Sequence, residues 1–340
     1  MLSRLIVLAI CLEPILAVVA STPIIAGLND LAVKAGLMYF GTAVDNASLN
    51  ESDYVAIVNN THEWGQITAA NGLKWDATEP SRNVFNWTLG DQIMDPAIEH
   101  QQIRRCHTLL WHRAQPEWLS SKTWTRDELL SVLENHIKNV VTHYEGRCYA
   151  WDVVNEAFYD NGPEYVAFAF KTARKYTTAK LYYNDNNTTN INPHTDSVYA
   201  MIKQLRADGV PIDGVGIQAH LIIDDAREFP APDFTAILQN LRYFASIPDL
   251  EIAITELDVR IELPNDETKI EQQAVIYADV VSACQKVKAC VGITVWDFWD
   301  KVSWVPSARP GFGDAQLFWT NLTRKPAYYH IADVLSNAAE

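Results

Sequence analysis

The clearest strand pattern in this chain is the segment 151–156, Trp-Asp-Val-Val-Asn-Glu. Its valines and aromatic ring are typical of a strand buried on both faces of a parallel sheet, and a polar loop follows it. The segment 252–258, Ile-Ala-Ile-Thr-Glu-Leu-Asp, repeats the pattern later in the chain. The two segments therefore predict parallel strands that end at Glu156 and Glu256.

Six further apolar runs, separated by helical patterns, complete a regular alternation. The eight predicted strands are 37–42, 66–70, 103–109, 148–154, 180–184, 214–219, 251–255 and 291–296. The helical patterns between them include 126–144, 163–175, 195–207, 233–244 and 271–287. This alternation predicts an α/β protein with a single (β/α)8 TIM barrel. An open doubly wound sheet is the alternative, but Gly41 stands alone after the first strand, where that fold needs a glycine-rich turn.

Residues 1–20 have the pattern of a secretory signal peptide. Arg4 precedes an apolar run that ends in small residues before Ser21. We therefore expect a mature domain over residues 21–340 and a secreted, extracellular protein. Secretion would make seven sequences acceptors for N-glycosylation. They start at Asn46, Asn50, Asn59, Asn86, Asn186, Asn187 and Asn321.

The cysteines predict one disulfide. Signal removal takes Cys11 away, and Cys284 and Cys290 then flank a short polar segment in an oxidising compartment, which favours a small disulfide loop. Cys106 and Cys148 lie in or beside predicted strands, where we expect buried free thiols in preference to a second disulfide. No Cys/His spacing resembles a zinc pattern, so no metal site is predicted.

The formal net charge of -15 argues against nucleic acid or an anionic membrane surface as a partner, because both would repel the protein. It is compatible with a neutral polysaccharide or glycoside. Excess acid is also a simple means of keeping a secreted protein soluble.

The carboxyl ends of all eight strands of a TIM barrel meet at one mouth, so the residues that follow the strands form one set. Its polar and aromatic members are Asn71, Lys74, His107, Trp111, His112, Asn155, Glu156, Asn184, Asp185, Gln218, His220, Glu256, Asp258, Trp296, Asp300 and Trp304. Flat aromatic faces beside amides and carboxylates suit a sugar ring. Two carboxylates at one mouth are what cleavage of a glycosidic bond requires.

Six ordered motifs resemble glycoside hydrolase family 10, whose members are mainly retaining endo-β-1,4-xylanases. They are residues 73–80 (LKWDATEP), 107–112 (HTLLWH), 151–157 (WDVVNEA), 182–185 (YYND), 255–258 (TELD) and 325–328 (KPAY). The similarity extends from Gly27 to Ile331. It implies that residues 21–340 form a catalytic domain of this family.

The resemblance also implies roles. Glu156 is the expected general acid/base, Glu256 the nucleophile and Asn155 a contact to the sugar 2-hydroxyl. His220 is expected to hold Glu256, with Asp258 behind it. The residues implied in sugar binding are Asn71, Lys74, His107, Trp111 and Gln218, with Trp296 and Trp304 as walls at the point of cleavage.

A mechanism that uses two carboxylates predicts the pKa shifts of the two glutamates and the distance between their carboxyl groups. Burial near a negative neighbour should raise the pKa of Glu156, and hydrogen bonds should keep Glu256 ionised. The two carboxyl groups should lie about 5–5.5 Å apart, the retaining distance. No metal or organic cofactor is required.

Five features depart from the family pattern, all near the expected binding cleft. Ala70 stands where many relatives have glutamate, Ala114 replaces a sugar-binding glutamine, and Asn186 replaces a tyrosine on the leaving-group side. Trp299 stands where threonine is common, and the segment 157–180 is shorter than usual.

Three functions remain open. The first is a monomeric, secreted endo-β-1,4-xylanase whose partner is xylan. The second is a saponin glycosidase similar to tomatinase, which removes the sugar chain of α-tomatine. The change at Asn186 and the shortened loop would make room for a bulky aglycone. Trp299 would offer that aglycone an aromatic surface. The third is a non-catalytic carbohydrate-binding or inhibitor barrel, which the presence of Glu156 together with Glu256 disfavours.

Overall fold

The computed structural model describes residues 26–157, 164–223 and 231–337. The signal peptide predicted over residues 1–20 therefore lies outside the described residues. In the described ranges, the strands are β1 (Tyr39–Val44), β2 (Gln66–Ala69), β3 (Ile103–Trp111), β4 (Ala150–Asn155), β5 (Lys180–Asp185), β6 (Gly214–Ile217), β7 (His220–Ile222), β8 (Glu251–Glu262), β9 (Cys290–Val295) and β10 (Phe312–Gly313).

The same ranges contain helices of very different lengths. They are α1 (Leu28–Lys34), α2 (Ser52–Val58), α3 (Trp75–Thr78), α4 (Thr88–Glu99), α5 (Glu117–Ser120), α6 (Arg126–His143), α7 (Glu164–Arg174), α8 (Pro193–Ala207), α9 (Phe234–Ala245), α10 (Glu267–Gln285), α11 (Val305–Ala308) and α12 (Pro326–Asn337). Within the described residues, 3-10 helices also cover Asn46–Asn50 and Asp300–Val302. None of the helices in these ranges is long and apolar enough to cross a membrane.

Eight parallel strands close into a barrel. The order is β1, β2, β3, β4, β5, β6, β8 and β9, and β9 pairs with β1 to complete the ring. Every position of β4 is buried, as the apolar run in the sequence predicts. The (β/α)8 TIM barrel predicted from the sequence is confirmed.

All eight barrel strands end at residues different from those predicted, and the structural cause is clear for two of them. Ala219 has a φ of 61°, which breaks the sixth strand, and the chain resumes as β7. The strand β8 runs on to Glu262, because β7 and β10 pair with its second half. These pairings join residues distant in sequence, so the local pattern does not reveal them.

Two glycines make room for tyrosine rings within the closed sheet. A Cβ atom at Gly214 would lie 2.4 Å from the ring of Tyr182, and one at Gly292 would lie 2.6 Å from the ring of Tyr39. Both distances are far below van der Waals contact, so the buried rings depend on glycine at these positions.

The structure contains two disulfides. Cys284 and Cys290 are bonded, which confirms the predicted small loop. Cys106 and Cys148 are bonded as well, so the expectation of two free thiols is wrong. Cys106 lies on β3, and Cys148 lies just before the adjacent β4, which brings their Cα atoms to 5.9 Å. That distance is within the range for a disulfide.

The longer disulfide loop should contribute more to stability. The bonds join residues 42 and 6 positions apart. Loss of chain entropy in the unfolded state predicts about 4 kcal/mol for the Cys106–Cys148 bond and about 2 kcal/mol for the Cys284–Cys290 bond. The measurement is urea unfolding of the two double Cys→Ala variants. Equal losses, or a larger loss at Cys284 and Cys290, would contradict this prediction.

Candidate active site

A cleft of about 670 Å³ opens at the carboxyl ends of the barrel strands. It brings together the predicted residues Asn71, Lys74, His107, Trp111, Asn155, Glu156, Gln218, His220, Glu256, Trp296 and Trp304. Asp258 lies behind this wall and is fully buried. The topology of the barrel therefore gathers side chains from seven strands into one site.

Hydrogen bonds hold both oxygens of the Glu256 carboxylate. Asn184 Nδ2 donates to Oε1 at 2.7 Å, and His220 Nε2 lies 3.0 Å from Oε2. The amide oxygen of Asn184 accepts a bond from Thr255 Oγ1 at 2.6 Å, which fixes the orientation of the amide. Glu256 is therefore held in one position at the end of the first half of β8.

His220 lies between two carboxylates. Its Nδ1 is 2.9 Å from Asp258 Oδ2, and its Nε2 faces Glu256. Burial disfavours the charged ring, but the carboxylates of Asp258 and Glu256 outweigh burial and raise the pKa of His220 to about 10. At neutral pH the imidazolium then donates from Nε2 to Glu256, and its positive charge between the two carboxylates stabilises the negative charge of Glu256.

Glu156 occupies a strained backbone position directly after β4. Its φ is 56°, uncommon for a residue with a side chain, and its N–H donates to the Asn184 carbonyl at 3.0 Å. Its two carboxylate oxygens each accept a bond of 3.0 Å, Oε1 from Gln218 Nε2 and Oε2 from Trp111 Nε1.

The electrostatic surroundings of Glu156 differ from the expectation. Burial acts to raise its pKa, but hydrogen bonds from Gln218, Trp111 and Asn186, together with the charge of Arg113, lower it below the ordinary value. The prediction of a raised pKa is therefore wrong for the protein without a bound sugar. Donors from separate loops stabilise the ionised form, and the sequence around Glu156 does not show them.

Asn155 and Gln218 connect the two glutamates. Asn155 Oδ1 accepts bonds from Asn184 Nδ2 at 2.9 Å and from Gln218 Nε2 at 3.1 Å. Because Asn184 also binds Glu256 and Gln218 also binds Glu156, one amide network spans both carboxylates. Such a network restricts the side chains that surround a reacting bond.

A second polar group lies at the end of β2. Lys74 Nζ donates to Asn71 Oδ1 at 2.6 Å, and Asn71 Nδ2 donates to Asp45. Burial lowers the pKa of Lys74, although the carboxylates of Glu256 and Asp76 act in the opposite direction. The ammonium also lies 4.8 Å from the centre of the Trp111 ring.

His107 is positioned from inside the barrel. Its Nδ1 lies 3.0 Å from Asp152 Oδ2, while Arg105 Nη2 donates to the other oxygen of Asp152 at 2.6 Å. Burial raises the pKa of Asp152, but Arg105 and His107 outweigh that effect and lower it. His107 thus presents its ring to the cleft, where the edge of Trp296 meets it at a centroid distance of 5.3 Å.

Trp304 packs against His220 and binds the carboxylate behind it. The two ring centroids are 4.9 Å apart, and the indole Nε1 donates to Asp258 Oδ2 at 2.7 Å. Trp296 and Trp304 therefore both border the histidine that holds Glu256. Their faces provide the apolar surface that a sugar ring needs.

The comparisons with known proteins agree with this geometry. The family model described as "Glycosyl hydrolase family 10" matches residues 27–334. The chain belongs to glycosyl hydrolase family 10. An endo-1,4-beta-xylanase of Agaricus bisporus is 43% identical over 319 residues, which cover 90% of this chain and 93% of that protein. Endo-1,4-beta-xylanase 1 of Humicola insolens is 42% identical over 335 residues, covering 94% and 77%.

Solved family 10 structures have the same fold. The xylanase of Bispora sp. MEY-1 with xylobiose has a TM-score of 0.86 and 38% identity, covering 91% of this chain and 99% of that chain. Xylanase 10B of Thermotoga petrophila in complex with xylobiose has a TM-score of 0.86 and 38% identity, covering 92% and 98%.

The positions that depart from the family 10 pattern do not all face the cleft. Asn186 lines it. Ala114 and Ala70 are buried, and the neighbour of Ala114 that lines the cleft is Arg113. Trp299 is only 4% exposed, packs against Tyr54 and donates from Nε1 to the Thr320 carbonyl, so the idea that it offers a surface to an aglycone is wrong. Residues 158–163 of the shortened segment lie outside the described residues.

Besides the supporting residues Thr255, Asp152 and Arg105, three further contributors to the site receive no role from the sequence. Asn184 is identified there only as a residue at a strand end, yet it binds both Glu256 and Asn155. Asp45 supports Asn71, and Arg113 acts on Glu156 through its charge. A sequence signal exists for Asn184 alone, in its position directly after the predicted fifth strand.

Proposed function

We propose that this family 10 chain is an endo-β-1,4-xylanase that cleaves xylan with retention of configuration. The observation that carries the proposal is that two carboxylates at the same end of the barrel have different hydrogen-bonding partners. Glu256 is held beside the imidazolium of His220, while Glu156 accepts bonds from the uncharged side chains of Gln218 and Trp111. The related xylanases of known structure with xylobiose support the substrate.

The first step uses Glu256 as nucleophile and Glu156 as acid. The ionised carboxylate of Glu256 forms a bond to the anomeric carbon while the glycosidic C–O bond breaks. The proton of Glu156 moves to the departing oxygen, so the leaving sugar departs as a neutral alcohol. His220 and Asn184 keep the attacking carboxylate aligned throughout this step.

The second step reverses the direction of proton transfer. Glu156, now ionised, accepts a proton from water, and the water oxygen displaces Glu256 from the anomeric carbon. Two displacements restore the original configuration. The mechanism requires a separation between the two carboxyl groups of about 5–5.5 Å.

In this proposal, binding of the sugar raises the pKa of Glu156 so that it can act as the acid. Covering Glu156 adds burial, which raises the pKa of a carboxyl group and favours its protonated form. Loss of the leaving group exposes Glu156 to water again and favours the ionised form that the second step uses. The lowered pKa of Glu156 without substrate therefore suits its role as base, and the substrate restores its role as acid.

The remaining predicted residues bind the sugar chain in this proposal. Asn155 contacts the 2-hydroxyl next to the reacting carbon, and the indoles of Trp296 and Trp304 flank the ring. The proposed donors and acceptors for the hydroxyls are Asn71, Lys74, His107, Trp111 and Gln218. The reaction as proposed uses no cofactor.

We also propose that the protein is a secreted monomer whose signal peptide covers residues 1–20 and whose catalytic domain covers residues 21–340. The two disulfides support an oxidising compartment.

The direct test is product analysis after separate incubations with xylan and with α-tomatine. We expect short xylo-oligosaccharides from xylan, β-anomers as the first products in proton NMR spectra, and little release of the steroidal aglycone. Faster cleavage of α-tomatine would replace the xylanase by a saponin glycosidase. No turnover of xylan, α-tomatine or an aryl β-xyloside would favour the non-catalytic barrel.

Trp111→Phe should move the pH dependence of xylan cleavage. The substitution keeps the ring but removes the N–H that stabilises ionised Glu156, so the pKa of Glu156 rises. The protonated acid then persists to higher pH, and the basic limb of kcat/KM should shift upward by about one pH unit.

The matched control is Trp124→Phe. Trp124 Nε1 donates to the Leu119 carbonyl outside the cleft, so its loss should leave the pH profile unchanged. A basic limb in Trp111→Phe that coincides with that of the wild type would contradict the assignment of Glu156 to this limb.

A further inference from the structure

The charge of the cleft wall is opposite to that of the whole protein. The chain has 42 Asp and Glu residues against 27 Lys and Arg residues. Among the described residues that line the cleft, the acidic side chains are Glu156 and Glu256 alone, whereas Lys74, Arg113, Arg260 and Arg309 are basic. Apart from the two reacting carboxylates, the Asp, Glu, Lys and Arg side chains of this described wall are therefore all basic.

Two of these cations already serve the internal structure. Lys74 donates to Asn71, and Arg260 is 5% exposed with its guanidinium 5.8 Å from the ring centre of Phe312. Arg113 and Arg309, in contrast, are exposed at the rim. Within the described ranges, no carboxylate lies within 4.0 Å of either guanidinium.

The two exposed arginines project from different loops. Arg113 follows β3 and lies near enough to Glu156 for its charge to lower the pKa of that carboxyl group. Arg309 follows α11, the short helix that begins directly after Trp304. Cations thus stand on two separate walls of the cleft that receives the sugar chain.

An unsubstituted xylan backbone has no charge for these cations to neutralise. A guanidinium presents a planar fork of N–H groups that matches a carboxylate, and it does so better than any neutral hydroxyl. A uronic acid attached as a side chain to the xylan backbone would carry such a carboxylate outward from the cleft floor, toward the rim where the arginines lie.

We propose that the preferred substrate is xylan substituted with uronic acid, and that Arg113 and Arg309 are specificity-determining residues that bind its carboxylates. This inference rests on the proposed xylanase function and deepens it. It also limits the conclusion drawn from the net charge, because two exposed cations at the rim offer an anionic substituent a binding partner although the protein as a whole is negative.

The test compares a glucuronic-acid-substituted xylan with the same polymer after chemical reduction of its carboxyl groups. Reduction keeps each branch and removes its charge. The ratio of kcat/KM for the acidic polymer to that for the reduced polymer should exceed one at low ionic strength and decline with added salt. Arg113→Gln and Arg309→Gln should each lower this ratio about two- to fivefold, the range for exposed ion pairs.

Matched variants separate specific binding from a general charge effect. Arg242 is exposed on α9, away from the cleft, so Arg242→Gln removes the same charge and should leave the ratio unchanged. Arg113→Lys and Arg309→Lys should retain part of the preference. Calorimetric titration of an inactive Glu256→Gln protein with acidic and reduced oligosaccharides gives a second measurement that does not depend on turnover.

The outcomes distinguish this inference from the proposed function. Failure to cleave unsubstituted xylohexaose and both polymers would overturn the xylanase function itself. Cleavage of all three with a ratio that neither arginine variant changes would overturn the substrate inference alone. An equal decline in Arg242→Gln would overturn it as well, because the effect would then come from net charge.

Discussion

Glu256→Gln is expected to reduce kcat/KM for xylan by a factor on the order of 10⁵, the size of loss seen when a nucleophile is removed from an enzyme. The amide is nearly isosteric with the carboxylate, but its single oxygen can accept from only one of the two donors, Asn184 Nδ2 or protonated His220, while its NH2 group faces the other. An uncharged amide, however, is a very weak nucleophile toward the anomeric carbon. The measurement is initial-rate kinetics on xylan and on an aryl β-xylobioside.

Glu256→Gln should lose catalytic activity without losing its fold or its binding of sugar, and this distinguishes the prediction from misfolding. The thermal unfolding midpoint should stay close to that of the wild type. The affinity for xylo-oligosaccharides should also stay close, since a bound sugar makes most of its contacts elsewhere in the cleft. Glu99→Gln is the matched control, because Glu99 is exposed at the end of α4 outside the cleft. It should retain full activity.

The covalent intermediate offers an independent check. A 2-fluoro xyloside with a good leaving group slows the second displacement more than the first, so the glycosyl-enzyme accumulates. Peptide mass analysis should locate the label on Glu256. A label on another residue, or substantial turnover by Glu256→Gln, would contradict the assignment of the nucleophile.

The positions of the two glutamates could be predicted because they depend on local patterns. A run such as Val153 and Val154 marks a buried strand, and the barrel places every strand end at one mouth. The lining of the cleft by eleven of the predicted residues follows from this simple topology.

Features that depend on contacts between strands and loops were harder to predict. The Cys106–Cys148 bond arises from the pairing of β3 with β4, which no pattern near either cysteine reveals. The lowered pKa of Glu156 arises from donors on other segments, among them Trp111 and Gln218. In both cases the decisive neighbour is distant in sequence, so its identity follows only from the three-dimensional arrangement.

The burial of Trp299 was also not predicted from the sequence. An aromatic ring where threonine is common in the family suggested a surface for an aglycone in the cleft, but Asp297, two residues earlier, has a φ of 66° and the chain turns there. The Trp299 ring then packs near Tyr54, while Trp296 remains in the cleft. One backbone conformation therefore separates a substrate-facing indole from one that belongs to the core.

Glu156→Ala is expected to lose activity in a manner that depends on the leaving group. Xylan, with a poor leaving group, should be cleaved more slowly by a factor of about 10²–10⁴, the usual contribution of general acid–base catalysis. The first step on an aryl glycoside with an acidic phenol needs no proton, so only the second step should be slow and the glycosyl-enzyme should accumulate as a burst of phenol.

Azide should rescue the second step in Glu156→Ala. The anion needs no base, and the space left by the missing carboxylate admits it to the anomeric carbon, where it displaces Glu256 and leaves a β-glycosyl azide. In the wild-type protein the negative charge of Glu156 opposes the same approach, so azide should have little effect there. Absence of a β-azide, or an α-azide in its place, would contradict the assignment of Glu156 as the acid/base of a retaining reaction. Rescue of Glu156→Ala together with failure to rescue Glu256→Gln would separate the two carboxylate roles that the geometry of this cleft supports.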